Sequence, residues 1–156
     1  MITIKEIVLN EIGEGNIEPY PYRIKYDRFL SQYEGYFDTD FKETYKVNCI
    51  PDKEYLLVDF VTLSKGTGET NNFEQYKIMS TVSKILMDII KKVSVSVLVF
   101  NPEKVKPKQS KTGKEIIDTG SKRANLYIAY IKKQLSKIGK NVKSIKQDGD
   151  SYLIEF

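Results

Sequence analysis

Apolar and polar residues alternate along the chain with two different periods, and these periods divide it into strands and helices. From residue 22 to residue 63, apolar residues recur at about every second position, with clusters of turn-forming residues at 38–40 and 51–54. A period of two is typical of strands with one buried face. We therefore predict an antiparallel meander of four strands, whose apolar side needs a covering element.

Residues with helical spacing supply this cover. Residues 73–92 place apolar side chains three and four positions apart on a broad stripe, which predicts a central helix packed on the sheet. Near the start of the sequence, Thr3 and Glu6 have the spacing of a capping box, in which each side chain satisfies a free helix amide. They predict a shorter amphipathic helix over residues 1–13.

The rest of the chain is predicted to form a strand, a loop, a helix and a hairpin. Residues 93–100 are an apolar run typical of a strand buried on both faces. Residues 102–120 combine prolines with like charges, which predicts a long basic loop. Residues 121–156 are predicted to form a helix that ends at Gly139 and then a β-hairpin that turns at an Asp-Gly pair, 148–149. We predict one α+β domain over residues 1–156, with element order α-ββββ-α-β-α-ββ, a mainly antiparallel sheet and a central packed helix.

The composition excludes several classes of function. The chain has 156 residues, enough for one domain, and contains no His and one Cys. Without His, a Ser-His-Asp triad, a Cys-His dyad and an imidazole zinc ligand are excluded, and we predict no metal site. Cys49 has no partner for an internal disulfide and is expected to be a small buried residue. No apolar run approaches the roughly 20 residues that span a bilayer. We expect a soluble, unexported protein in a reducing compartment, with no membrane partner.

Basic residues are concentrated in the second part of the chain. Residues 1–93 hold 12 Lys and Arg against 15 Asp and Glu, whereas residues 94–156 hold 13 against 6. Much of the excess lies in and beside the predicted loop, at Lys104, Lys106, Lys108, Lys111, Lys114, Lys122 and Arg123. These residues are suited to binding nucleic acid without base recognition, or to docking in an acidic groove of a protein. A solvated Lys-rich face is the alternative.

The order of elements and one helix motif resemble the GNAT superfamily of acetyltransferases. The order of strand, Gly-containing loop, long helix, strand, helix and terminal hairpin covers about residues 33–156. The stretch from Ser121 to Tyr127, followed by Lys137-Ile138-Gly139, is similar to that superfamily's helix with a Leu-Tyr pair and its Leu-Gly-Phe-like exit. The resemblance implies a GNAT-like order of strands and helices.

Five short motifs, in order along the whole chain, resemble an uncharacterised family of small proteins encoded by tailed bacteriophages. The family's pattern begins with an amphipathic helix and Tyr-Pro-Tyr, continues through a meander, and then has a Gly-rich loop and a helix with Thr-Val. The matching pieces are Tyr20-Pro21-Tyr22, Gly66-Thr67-Gly68, Ser80-Thr81-Val82, Val97-Leu98-Val99-Phe100 and Arg123-Ala124-Asn125-Leu126-Tyr127. This resemblance implies a phage origin and the fold, and it brings no biochemical role.

The acetyltransferase resemblance, if it extends to activity, implies acetyl-CoA as cofactor, Gly66 and Gly68 as pyrophosphate ligands, and Tyr127 as the acid that protonates the departing thiolate. That superfamily binds the pyrophosphate with Gln/Arg-x-x-Gly-x-Gly/Ala at the start of the central helix. Here Ile78 and Ser80 occupy the two glycine positions. A Cβ at these positions holds phosphates away from the helix amides. The alternative role for Gly66 and Gly68 is a flexible connector between elements. The alternative role for Tyr127 is packing in the core.

These observations favour a function without catalysis and without a cofactor. We expect a phage-encoded interaction or structural module of acetyltransferase-like fold that contacts a viral or host protein, in the virion or in the host cytoplasm. Two alternatives stay open. One is an acetyl-CoA-dependent N-acetyltransferase, and the other is a nucleic-acid accessory protein that binds through the basic loop.

Overall fold

The structure, a computed structural model, describes residues 18–64, 72–101 and 117–156. The helix predicted over residues 1–13 lies outside these ranges. Two helices are present in the described ranges, α1 (Asn72–Ile90) and α2 (Ile117–Lys137). The seven strands are β1 (Tyr22–Asp27), β2 (Gln32–Asp38), β3 (Thr44–Asp52), β4 (Tyr55–Ser64), β5 (Val97–Phe100), β6 (Ser144–Asp148) and β7 (Ser151–Glu155). No helix in the described part of the chain combines the length and apolar character needed to cross a bilayer.

All seven strands form one sheet, in the order β1-β2-β3-β4-β5-β7-β6. The strands β1 to β4 are the predicted antiparallel meander, and β6 and β7 are the predicted terminal hairpin. Among the described strands, β4 and β5 are the one parallel pair, and α1 makes the crossover between them. A parallel pair requires such a crossover because the chain must return to the same end of the sheet. The prediction of a mainly antiparallel α+β domain with a central helix is confirmed.

Both described helices pack on the same face of the sheet. On β2, Gly35 lies against Ile85 of α1. Gly35, Val47 and Phe60 are paired neighbours across β2, β3 and β4 and therefore share this face. Phe60 in turn lies against Tyr127 of α2. The core therefore forms between one face of the sheet and the two helices.

The edge strand β1 is attached to α1 by polar contacts near its start. The hydroxyl of Tyr22 donates a hydrogen bond to the carboxylate of Asp88 on α1. The backbone N–H of Tyr20, just before β1, donates to Oγ1 of Thr81 at 2.9 Å. Partial burial raises the pKa of Tyr22, and the hydrogen bond to Asp88 and its negative charge add to the rise. These contacts fix the edge of the sheet against the central helix.

The prediction that residues 93–100 form a strand buried on both faces is wrong. The strand β5 begins at Val97, and its residues alternate between partly exposed and buried. Leu98 is buried against the helices, whereas Val97 and Val99 point to the other face. Neither described helix covers that other face. The strand β5 is therefore buried on one face and partly exposed on the other, although all four of its residues are apolar.

Two glycines mark the ends of C-terminal elements through their backbone conformation. Gly139 has φ 80° and closes α2, as predicted, with Lys140 N–H bonded to the carbonyl of Leu135. Gly149 has φ 60° in the turn between β6 and β7. That turn consists of residues 149–150, one residue later than the predicted Asp-Gly pair, because residue 148 pairs with residue 151. The helix α2 begins at residue 117, inside the predicted loop of 102–120.

Candidate functional site

Tyr127 lies beside the place where the pairing of β4 and β5 ends. The last paired residues are Leu57 and Val99, and β4 continues to residue 64 beside β3 alone. The ring centroid of Tyr127 is 6.4 Å from that of Phe60 on β4 and 6.3 Å from that of Phe100 on β5. The two Phe rings reach it because both point from the sheet toward the helices.

Tyr127 is part of the hydrophobic core. It is 1% exposed, and on the same stripe of α2 the side chains of Ala124, Tyr130 and Ile131 are also buried. Spacing of three and four residues places these side chains over the sheet. A general acid must come within hydrogen-bond distance of the group that it protonates. In this arrangement the Tyr127 ring packs against Phe60 and Phe100 and is shielded from solvent.

The segment aligned with the pyrophosphate motif lies inside α1. The helix begins at residue 72, and an α-helix leaves roughly its first four N–H groups free. Ile78 and Ser80 come later, so their N–H groups are used within the helix. Their side chains are buried in the core. This segment therefore does not form a phosphate cradle.

The other residues predicted from sequence lie outside the described part of the chain. Gly66 and Gly68 fall in the gap at 65–71, and five of the seven basic residues fall in the gap at 102–116. The remaining two, Lys122 and Arg123, lie on α2 by backbone position, and their side chains are not described. Polyanion binding through these residues stays a prediction.

A buried ionic cluster on β2 and β3 was not predicted from sequence. Glu34 Oε2 accepts a hydrogen bond from Gln32 Nε2 at 2.8 Å and lies 3.0 Å from Lys46 Nζ. Glu34 Oε1 accepts a hydrogen bond from the Tyr36 hydroxyl at 3.0 Å. The Glu34 side chain is 5% exposed. All four side chains lie on the face of the sheet opposite α1.

Hydrogen bonding in this cluster stabilises the charged form of both ionic partners. Burial alone would raise the pKa of Glu34, but hydrogen bonds from Gln32, Lys46 and Tyr36, with the charge of Lys46, lower it below its ordinary value. The hydrogen bond to Glu34 raises the pKa of Lys46 against the opposing effect of burial. The cluster is therefore an ion pair at neutral pH.

Cations surround the ring of Tyr36. Arg23 Cζ lies 5.3 Å from the ring centroid, Lys25 Nζ 5.1 Å and Lys46 Nζ 5.8 Å. All three distances are within the range of cation–π attraction. Among the described residues, no carboxylate lies within 4.0 Å of Arg23 or Lys25. This part of the sheet lies on the face that neither described helix covers, which we call the helix-free face, and it carries exposed positive charge.

An apolar row crosses the same helix-free face on the neighbouring strands. Ile50, Leu57, Val99 and Leu153 are paired in succession across β3, β4, β5 and β7. All four are at least partly exposed, and Leu57 is 37% exposed. We call this set the apolar row. On β3 and β4 the polar pair Asn48 and Asp59 separates this row from Tyr36 and Lys46, so the face has an apolar part and a separate cationic part.

The prediction that Cys49 is a small buried residue is confirmed. It lies on β3 in the core and is fully buried. Burial raises the pKa of its thiol, so the thiolate is disfavoured. In the described ranges, no group of three or more His, Cys, Asp and Glu side chains is placed to hold a metal ion.

No family model, curated protein or solved structure matches the chain. Its function is therefore inferred from its own residues.

Proposed function

We propose that this chain is a phage-encoded, non-catalytic interaction module with an acetyltransferase-like order of strands and helices. It binds a viral or host protein, in the virion or in the host cytoplasm, and uses no cofactor. The observation that carries the proposal is the enclosure of Tyr127, which is 1% exposed between Phe60 and Phe100. The residue that the acetyltransferase resemblance makes the acid is thus used for packing.

The acetyltransferase-like order is supported by the position of the parallel pair. An antiparallel meander leads through α1 into the parallel strand β5, and β7 lies between β5 and β6. A sheet of this kind places the carboxyl ends of β4 and β5 and the start of α1 at one end. That end is where ligands bind in open sheets with parallel strands. In this chain the corresponding space holds the aromatic cluster around Tyr127.

The helix-free face supplies a surface that suits a protein partner. The apolar row shares this face with the exposed cations Arg23 and Lys25, and with Asp59, which lies next to Leu57 on that face of β4. An apolar centre with a polar border is the usual arrangement of a protein interface. Charge complementarity then requires carboxylates in the partner next to an apolar stripe. We propose a partner segment of that chemistry as the occupant of this face.

Calorimetric titration with acetyl-CoA and with CoA tests the absence of a cofactor. We expect no saturable heat at micromolar ligand. Saturable binding of either molecule at that concentration would overturn the non-catalytic proposal.

The partner is tested by quantifying the chain in purified virions and in pull-downs from infected cells. We expect either a fixed copy number in virions or one host protein at fixed stoichiometry. Leu57→Asp places a charge in the apolar row and should abolish that association. Thr62→Asp, on an exposed position of the same strand, is the matched control and should retain it. Absence from virions together with no stoichiometric host protein would refute the proposal.

An acetyl-CoA-dependent N-acetyltransferase is the second candidate, and one observation favours it. Tyr127 is at the carboxyl ends of the parallel pair, where the pairing stops. Tyr127→Phe removes the proposed acid and should lower kcat for thiol release from acetyl-CoA with a primary amine. Tyr130→Phe, one turn later on α2, is the matched control and should keep the wild-type rate. No turnover by the wild-type protein removes this candidate.

A further inference from the structure

The turn between β1 and β2 exposes large apolar side chains. Phe29 is 98% exposed and Leu30 is 58% exposed, and Tyr26 at the end of β1 is 50% exposed. Single exposed apolar residues are normal on a protein surface, but a group at one protruding turn is not. We call residues 28–31 the hairpin tip.

The hairpin tip is held in place without help from its apolar side chains. Asp27 Oδ1 accepts hydrogen bonds from the N–H groups of Phe29 at 2.9 Å and Leu30 at 3.2 Å. Ser31 has φ 51° and completes the reversal. Turn positions of this kind are ordinarily taken by Gly, Asn, Asp or Ser. The fold therefore presents Phe29 and Leu30 to the surroundings, and they add nothing to its core.

Basic residues are in excess at the end of the sheet that carries the hairpin tip. The strand directions place the β3–β4 turn and the C-terminal ends of α1 and α2 at this same end. In the described ranges 27–31, 52–54, 91–96, 137–143 and 155–156, seven Lys and Arg stand against four Asp and Glu. The acidic residues are Asp27, Asp52, Glu54 and Glu155. Arg28, Lys53, Lys91 and Lys92 are exposed.

The shape of the hairpin tip suits a lipid surface better than a protein pocket. A stable protein interface buries about 800 Å² on each partner around an apolar centre. The hairpin tip has only four residues, and the exposed side chains of Arg28, Lys53, Lys91 and Lys92 lie at the same end of the sheet. A bilayer accepts a small apolar projection among its acyl chains while Lys and Arg remain at the level of the headgroups.

We propose that the hairpin tip inserts Phe29 and Leu30 into the interfacial region of a bilayer that contains anionic phospholipid. Tyr26 lies at the headgroup level, and Arg28 contacts lipid phosphates. This contact is peripheral and needs no spanning segment. It is tested separately from the proposed function, because Phe29 and Leu30 are changed for this contact and Leu57 for the other.

Sedimentation with vesicles tests the proposal. We expect the wild-type chain to bind vesicles of an equimolar phosphatidylcholine–phosphatidylglycerol mixture more strongly than vesicles of phosphatidylcholine alone, with weaker binding as salt rises. Changing Phe29 and Leu30 together to Ser should lower the partition coefficient at least about tenfold. Leu63 is 52% exposed and lies on β4 at the end of the sheet away from the hairpin tip. Leu63→Ser is therefore the matched control and should bind as the wild type does.

A fluorescent substitution gives a readout that does not depend on loss of binding. The chain has no Trp, so Phe29→Trp introduces a single reporter. We expect its emission to shift to shorter wavelength on adding the anionic vesicles, with no shift for Leu63→Trp. No shift at position 29, or an equal shift at position 63, overturns the proposal. The first result would show that the hairpin tip does not enter the bilayer, and the second would show that the lipid contact is not specific to it.

Discussion

Gly35→Ala is expected to destabilise the domain because α1 packs directly on the bare Cα of Gly35. A Cβ at this position would lie 2.6 Å from Cγ2 of Ile85, 3.1 Å from its Cδ1 and 3.4 Å from its Cγ1. The shortest of these distances is far inside van der Waals contact. Cγ2 is bonded to Cβ of a β-branched residue in a helix, where one χ1 rotamer is strongly preferred. Ile85 therefore cannot turn away, and α1 must move.

The size of the effect follows from two opposing contributions. Adding a methyl group to a filled core costs about 1–3 kcal/mol. The φ of Gly35 is not positive, so Ala adds no backbone strain, and it gains about 0.4–1 kcal/mol by restricting the unfolded chain. The midpoints of these two ranges give a net loss of unfolding free energy of about 1.3 kcal/mol.

A double-mutant cycle identifies the atom responsible. Ile85→Ala alone should cost about 2–5 kcal/mol, as for other large core truncations. In the double variant the methyl group introduced at position 35 enters the space left by Ile85, so the combined loss should be smaller than the sum by at least about 1 kcal/mol. Urea unfolding followed by circular dichroism measures all four proteins. Additive losses, or a Gly35→Ala variant as stable as the wild type, would show that this contact does not limit the packing of α1.

Three further predictions concern single residues. Glu34→Gln should lower stability by about 1–2 kcal/mol at neutral pH. Because the pKa of Glu34 is lowered in the folded state, its stabilisation is present above the unfolded pKa and is lost as pH falls through the folded pKa. The Gln variant should therefore lose less stability than the wild type when the pH is lowered. The same acid transition in both proteins would argue against the ion pair. Tyr130→Phe should leave stability equal or higher by up to about 1 kcal/mol, since the Tyr130 hydroxyl is buried without a hydrogen-bond partner among the described residues; a loss would reveal a bond to that hydroxyl. Gly149→Ala should cost about 1 kcal/mol in urea unfolding because its φ is 60°, and Gly149→Asn should cost less; equal losses contradict this explanation.

The order and kind of the described elements follow from local patterns that the fold does not override. The period-two stretch became four strands, and the apolar stripe of residues 73–92 became α1, because each pattern matches the single face that is buried. Gly139 ends α2 with a positive φ, a backbone conformation that is strained for residues with a side chain but not for glycine.

The burial of β5 could not be derived in the same way. A four-residue apolar strand has the same composition whether one face or both are covered, and the choice depends on where distant helices pack. Both described helices pack on the face of the sheet that carries Gly35, so Val97 and Val99 on the other face remain partly exposed. Hydrophobicity along the chain carries no information on that choice.

The ionic cluster was missed because charged residues at alternate strand positions are normally solvated. Glu34 and Lys46 lie on adjacent strands, on one face, and the signal that could have found them is the register between β2 and β3. That register depends on the length of the turn at residues 39–43, which periodicity alone does not determine. A correct pairing would have placed Tyr36 opposite Lys46 and beside Glu34.

The parallel pair of β4 and β5 is the long-range contact that joins the two parts of the sheet. Strands β1 to β4 pair with neighbours in sequence, whereas Leu56 and Leu98 are 42 positions apart. Closing that separation is slow relative to hairpin formation. The strand β7 pairs with β5, so the terminal hairpin is connected to the meander only through β5. During synthesis the meander emerges first and holds its apolar face open until α1 follows. The interval between the two is therefore when the nascent chain is most exposed to aggregation or to a chaperone.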